Sequence, residues 1–476
     1  MPVNGSPQLM STRAILLRFA AIAVLGTLVA LMGLHQWGLS AHQTLAVTVF
    51  LVIILSTLFF WNFRLAIAFL GLAALVLTKA LDVEGFKQHS SLEVIMFLVG
   101  MMIVVGALRD LGFFTWIIQG ILKIKGMTGP RFVLVTAVVS ALTACAVDEV
   151  TSILFMTALI FQVCDVLKIR PTPFLIICVM ATNVGSAGTM LGNPVGILIG
   201  GKAQLTFEDF MIWAFPVMLV SLAATIGLVM FWFRKDIRLL SERLKNRRRY
   251  TLGLGPTVAV PFGRGLAVIV GTIGLIAAHH RIEAMLGLGT NAALYMAPLI
   301  SAGILMIWRR ERARHYVERE VEWWTLTFFL LLFAVAGTLE SMEVTGKMAR
   351  GFSNVLGGHD HLMIPGVMLV SAIGSAFVDN VVFVAAFIPV VKELAGVGAP
   401  HPLWWALLFG ACFGGNITMI GSTANIVALG MLEKRYRARI NFMEWFKVGL
   451  ATGLTACLVA YLSLLLLVLL RGSASG

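Results

Sequence analysis

Read along the chain, apolar residues gather in long runs separated by short polar segments. A helix crossing the hydrocarbon core needs about 20 such residues. Runs near 15–34, 44–60, 64–80, 93–109, 173–200, 210–233, 262–280, 289–308, 324–342, 403–432 and 448–470 predict 11 spans. Two further stretches, 131–168 and 362–396, are too long for one helix, and acidic residues interrupt each: Asp148-Glu149 and Asp379-Asn380. Half of either stretch is barely a span at about 1.5 Å rise per residue. Both therefore predict re-entrant hairpins, whose non-helical tips at membrane depth must line a protein cavity.

Composition narrows the class. Of the 476 residues 59% are hydrophobic and only 12% charged, roughly half the charge of a soluble domain. A water-soluble enzyme is excluded, and no cofactor is expected. The net charge of +13 does not point to nucleic acid, because the basic residues must sit in short loops between apolar runs. Eight Lys/Arg lie in 234–249, five in 309–319 and five in 434–447. Such loops face the cytoplasm, which places the N-terminus inside and the C-terminus outside, in the plasma (inner) membrane. Segment 234–249 also suits attraction to anionic headgroups. Residues 1–14 are polar and the run 15–34 is long enough to span, so it predicts a retained helix and no cleaved signal. The five cysteines all lie within apolar runs and are expected to act as small hydrophobes. His279-His280 and His359-Asp360-His361 fall in predicted exterior loops, and Glu93 and Glu322 begin helices whose N-termini they stabilise.

The same order of events occurs twice, about 230 residues apart. Glu93 opens one unit and Glu322 the other; SALTACAVDEVTSILF precedes GSAGTMLGNPVG, and SAIGSAFVDNVVFVAAF precedes GGNITMIGSTAN. The TMLG and TMIG cores keep the offset of the two glutamates. Given the basic loops, the first unit starts outside and the second inside, an inverted repeat of the kind secondary transporters use to place a midplane site. The predicted fold class is thus an all-α polytopic membrane protein: 11 transmembrane helices, two re-entrant hairpins, and two inverted-topology repeats with discontinuous helices. Its expected parts are N-terminal scaffold helices (1–92), repeat I (93–233, with hairpin 131–168 and broken helix 173–200), a basic linker (234–261), connecting helices (262–321) and repeat II (322–470, with hairpin 362–396 and broken helix 403–432).

A carboxylate at membrane depth costs at least ~2.5–3.5 kcal/mol on insertion scales. Asp148, Glu149 and Asp379 could each cap a helix. Acids at equivalent points of a repeat point instead to a site, with Thr151 and Asn380 beside them. Each half also carries a Gly/Asn/Thr interruption, 182–196 and 414–425, holding Asn183, Ser186, Thr189 and Asn193, then Asn416, Thr418, Ser422 and Asn425. Gly and Pro unwind helices there. The freed carbonyls and polar side chains form an oxygen-rich cage for a hard cation, with Na⁺ expected at Asp148, Asn183, Asp379 and Asn416. No Lys or Arg falls at the tips or in the breaks. That favours a cation or a neutral oxyacid over a carboxylate.

At these blocks the chain resembles the ion transporter superfamily, most closely its arsenite permease, NhaD-type Na⁺/H⁺ antiporter and P-protein branch, with a citrate-transporter-like domain. The matching segments are TACAVDEVTSILF, ATNVGSAGTMLGNPVGI, SAFVDNVVFVAAF and GGNITMIGSTANIVALG. The resemblance implies a scaffold domain, a transport domain, a homodimer and elevator-like movement. Relatives carrying divalent anions or carboxylates have Ser-Asn-Thr at the tips, where this chain has Asp148-Glu149-Val150 and Asp379-Asn380-Val381. Within its branch the chain departs twice: Glu149 stands where Asn is usual, and Asn193-Pro194-Val195-Gly196 replaces Asp-Pro-Pro-Asn.

The expected function is secondary active transport of a small ion or solute, proton- or sodium-coupled in the manner of a Na⁺/H⁺ antiporter. Alternatives are efflux of arsenite, antimonite or silicic acid, transport of a di- or tricarboxylate, and, from a different class, an ion channel. The expected partners are the lipid bilayer, the transported solute and a second copy of the chain.

Overall fold

In the low-dielectric bilayer every backbone polar group must be satisfied within the protein, which leaves helices as the main element of so apolar a chain. The computed structural model describes residues 12–35, 38–60, 63–248, 262–356, 360–395, 402–437 and 439–472, and among these the regular structure is entirely helical. The protein is a polytopic helical membrane protein. By length and composition seven described helices could cross a membrane, or eight when the bent pair Phe262–Ala277 and His279–Leu286 counts as one span. Several expected spans are shorter. Arg64–Leu77 and Ala292–Trp308 have 14 and 17 residues, while the run 173–200 divides into Thr172–Gly185 and Pro194–Ala203.

The chain forms two compact units. One comprises residues 1–91 and 324–348. In it the helix Ala41–Phe59 starts at a Ser40 capping box and packs against Thr12–His35 and Arg64–Leu77. Arg64 is buried with its guanidinium 4.8 Å from the Phe328 ring, and Gln43 Nε2 donates to Met342 O at 2.7 Å.

The larger unit, 92–323 and 349–476, contains both acidic interruptions. The first hairpin has arms Gly129–Ala146 and Glu149–Leu167, and the second has Asp360–Phe377 and Asn380–Ala395. Each arm pair meets at its predicted acidic break. The first polar interruption lies between Thr172–Gly185 and Pro194–Ala203, the second between Pro402–Gly414 and Thr423–Tyr436. Helix persists to Gly185, so Thr182 and Asn183 occupy its last turn rather than the unwound segment. Each new half-helix has a local cap: Asn193 Oδ1 accepts from Gly196 N at 3.0 Å, and Ser422 Oγ from Ala424 N at 3.1 Å.

These pieces interlock crosswise. Pro194–Ala203 packs on the second hairpin's arm Asn380–Ala395, and Thr423–Tyr436 packs on the first hairpin's arm Glu149–Leu167. Within each half the first hairpin arm lies against the helix that precedes the break, at a separation only glycine allows. A Cβ on Gly185 would strike the Ala141 backbone, and one on Gly414 the Ala372 backbone.

Two loops differ from expectation. The basic segment forms a helix, Arg234–Arg248, that packs on Gly129–Ala146 and buries Ile237, Leu240 and Leu244. Ser241 Oγ accepts from Gly129 N at 2.9 Å, so this helix anchors the start of the first hairpin. The rest of the linker, 249–261, lies outside the described residues, as does His359. His279 is buried rather than in a solvated loop, its Nδ1 2.8 Å from Ile276 O. The 54° bend between Phe262–Ala277 and His279–Leu286 folds it inward.

Gly414→Val should lower the melting temperature in detergent by the equivalent of about 1–3 kcal/mol, the usual cost of overpacking. Gly430→Ala, where a Cβ meets nothing within 4 Å, should not. Equal melting of both variants would remove the close-approach argument.

Candidate functional site

Where the two breaks meet, Asn183 joins them. Its Nδ2 donates to Asn416 Oδ1 and to Asn425 Oδ1, each at 2.8 Å. Its Oδ1 accepts from Ser422 Oγ at 3.1 Å. Asn425 Nδ2 donates to the carbonyls of Gly415 (2.7 Å) and Thr418 (2.8 Å), groups freed by unwinding. Asn416 Nδ2 donates to Met180 O at 3.3 Å, and Trp445 Nε1 donates to Asn416 O at 3.1 Å. All of these asparagines are fully buried. A buried amide left unpaired costs about 1–3 kcal/mol, so this mutual pairing is what permits polar groups at such depth.

The tip carboxylates enter the same network from opposite sides. Glu149, buried at the start of its hairpin arm, accepts from Ser422 Oγ at 3.1 Å through Oε1. Its Oε2 has no hydrogen-bond partner. Its backbone N–H donates to Gly192 O at 3.0 Å, fixing the hairpin tip to the break. Asp379 accepts from Val381 N at 3.1 Å and from Thr423 Oγ1 at 2.6 Å. Glu149 and Asp379 thus bond the hydroxyls of adjacent residues, Ser422 and Thr423, at the start of one half-helix. Beside Asp379, both amide atoms of fully buried Asn380 lack a hydrogen-bond partner.

Asn193 and Ser186 extend the network. Asn193 Nδ2 donates to Ser186 Oγ at 2.9 Å and to Cys412 Sγ at 3.1 Å, while Ser186 Oγ donates to Asn183 O at 3.0 Å.

Four expected residues stand apart. Asp148 Oδ1 accepts from Thr151 N at 2.7 Å, so Asp148 caps its helix and Thr151 serves that cap. No described hydrogen bond joins Asp148 to the asparagines. Thr189 donates to Cys145 O at 2.5 Å and Thr418 donates to Ala376 O. Both hydroxyls also accept backbone N–H groups, from Leu191 and Ile420. The two threonines therefore tie each break to its own hairpin at corresponding places. Of the four expected Na⁺ ligands, Asn183 and Asn416 are bonded to each other, Asp379 bonds Thr423, and Asp148 is a cap.

Three participants were not singled out from sequence, one of them Trp445 with its bond to Asn416 O. Cys412, expected to be a small hydrophobe, takes a hydrogen bond from Asn193. Thr423 reaches Asp379 across the two elements. Thr423 follows Ser422 within the polar break, a signal that was available; nothing around Cys412 in sequence marks it.

The citrate transporter family matches residues 50–410. An uncharacterized transporter of Mycobacterium tuberculosis is 34% identical over 419 residues, covering 85% of this chain and 94% of that protein. The chain belongs to the citrate transporter family. It is a membrane transporter. A further similarity within the ion transporter superfamily is to the P protein of Homo sapiens, 27% identical over 446 residues and covering 78% of this chain and 53% of that protein. Among solved structures, the YdaH transporter of Alcanivorax borkumensis aligns with a TM-score of 0.50 at 17% identity, covering 83% of this chain and 88% of that one. At that identity the likeness concerns the fold alone.

The central side chains of this network are amides, hydroxyls and two carboxylates. Asn183→Leu would strip Asn416, Asn425 and Ser422 of one partner each. It should destabilise the protein by about 1–3 kcal/mol, visible as a lower melting temperature in detergent. Asn183→Asp, which keeps the acceptor oxygen but puts a second acceptor where the NH2 donated to Asn416 and Asn425, should be as damaging. A wild-type melting curve for both would show that the joint is dispensable.

Proposed function

We propose that this member of the citrate transporter family is a secondary active transporter in which Glu149 and Asp379 bind and release a coupling cation, H⁺ or Na⁺. The observation that carries this reading is the pair itself. Two carboxylates from different hairpins are buried and bond the hydroxyls of the adjacent residues Ser422 and Thr423, and Glu149 Oε2 and the Asn380 amide have no hydrogen-bond partner among the described residues. Two carboxylates buried in one neighbourhood resist being ionised together unless a cation compensates. The side chains of Asn183, Asn416 and Ser422 and the carbonyls of Gly415 and Thr418 are engaged with one another and would frame the site, while Glu149, Asp379 and the Asn380 amide oxygen would supply the oxygen ligands to a hard cation.

On this reading the two hairpin-plus-broken-helix blocks are inverted repeats, supported by the corresponding Thr189 and Thr418 bonds and the matching Gly185 and Gly414 approaches. Alternating access would proceed by elevator-type movement in a plasma-membrane homodimer, with the basic loops in the cytoplasm, the N-terminus inside and the C-terminus outside. The division into N-terminal scaffold helices, repeat I, linker and repeat II belongs to the same proposal.

The family match favours one second reading, a citrate-like di- or tricarboxylate as cargo. Among the described residues no Lys or Arg side chain bonds into the network around Asn183, so such an anion would have to enter with its charge neutralised by bound cations.

Flux in proteoliposomes under imposed Na⁺ or pH gradients separates these. Gradient-driven cation exchange without citrate is expected, and Glu149→Gln and Asp379→Asn should each reduce it at least 10-fold while preserving the folded protein. Asp148→Asn, which keeps a good cap, should retain most activity. Citrate uptake indifferent to both gradients, or wild-type flux in the first two variants, overturns the cation reading.

A further inference from the structure

The helices Phe262–Ala277 and Ala292–Trp308 pack together yet leave between them a cavity of about 620 Å³. Arg264, Val268 and Leu275 line it on one helix, Ser301, Ile304 and Trp308 on the other. The helices run antiparallel, so Arg264 lies at the same end as Trp308, and Leu275 lies opposite Ser301. From Arg264 to Leu275 the groove is about 16 Å deep at 1.5 Å per residue, close to half the ~30 Å hydrocarbon core. Beyond Leu275 a second cavity of about 300 Å³ lies between Ala292–Trp308 and the short helix His279–Leu286, and its lining is wholly apolar.

The geometry points to a phospholipid site: one acyl chain of an anionic phospholipid fills the groove, with its phosphate at Arg264. Three features support that occupant. The groove has the depth of one leaflet and opens on a face where Val270, Ile304 and Ile307 are exposed. Its one charged lining residue sits at the mouth, beside a tryptophan of the kind found at headgroup level. Arg309 and Arg310 follow Trp308 directly, adding positive charge at that end.

The space is not closed by the protein. A Cβ at Gly263, Gly271, Gly274 or Gly303 would meet nothing within 4 Å. An unfilled void forfeits dispersion contacts along its walls, and a flexible acyl chain is the filler a bilayer supplies. On the opposite side the first helix is anchored: Phe262 stacks on Trp116 at 3.6 Å, and the Cβ position of Gly265 lies 3.1 Å from Phe113. The groove is therefore a standing feature of the surface, set by which face of that helix is held.

The test uses the full-length chain, delipidated and reconstituted in nanodiscs with phosphatidylglycerol or phosphatidylcholine carrying a photoreactive acyl chain. Labelling of peptides from 262–277 and 292–308 is expected, with phosphatidylglycerol favoured at least five-fold. Arg264→Gln should reduce that preference by about five-fold, the effect of one basic residue at an anionic surface. Gly271→Leu fills open space and should abolish labelling without changing the melting temperature. If Gly271→Leu fails to fold, Gly303→Leu serves the same purpose. Equal labelling by both lipids overturns the headgroup assignment. Absence of label from these helices, or an intersubunit disulfide formed by Gly271→Cys in place of labelling, overturns the lipid site and makes this face an interface between copies.

Discussion

One asparagine side chain couples the two halves of the larger unit. Asn183 uses both amide hydrogens and its carbonyl oxygen on Asn416, Asn425 and Ser422, all from the second break. Remove water, as the bilayer does, and each of those groups needs a partner from the protein. Unwinding two helices at depth is tolerable only because the two interruptions satisfy each other. The helix breaks, the crosswise seating of the half-helices and the burial of Glu149 all depend on that exchange.

The same constraint separates structural from functional polarity. Thr189, Thr418 and Asp148 are polar and lie in the expected places, yet each is occupied by backbone groups of its own block. Glu149 and Asn380 differ in kind. Glu149 Oε2 and the Asn380 amide atoms, buried and without a hydrogen-bond partner among the described residues, are costly unless something else completes them. Transporters need such incompletely satisfied groups, because a site whose every atom is paired within the protein has nothing left with which to bind cargo. The departures from the branch pattern fit together here: Glu149 and Asn193 exchange the usual amide and acid, and Asn193 lies in the same network as Glu149.

Much of this was legible in the residues. Hairpin tips at Asp148-Glu149 and Asp379-Asn380, and breaks around 185–193 and 414–422, follow from where polar and glycine residues interrupt apolar runs. Legibility failed where a side chain's role depends on which backbone comes near it. Asp148 and Asp379 look equivalent in sequence; one caps its own helix while the other also receives a hydroxyl from Thr423. His279 looks like a loop residue until the helix bend buries it. Segment 234–249 looks like a headgroup-binding linker, and its described part also packs on the first hairpin through Ile237, Leu240 and Leu244.

By itself the sequence determined that this chain is a helical membrane protein with two interrupted, corresponding blocks. Hydrophobic length and the cost of buried charge are local quantities, readable one segment at a time. Only the tertiary structure decided that Asn183 would bridge to the other block, that Glu149 would meet Ser422, and that a thiol would complete the shell of Asn193. Hydrogen bonding and Coulomb interaction act over a few ångströms between residues more than 200 positions apart, and no local pattern encodes that distance.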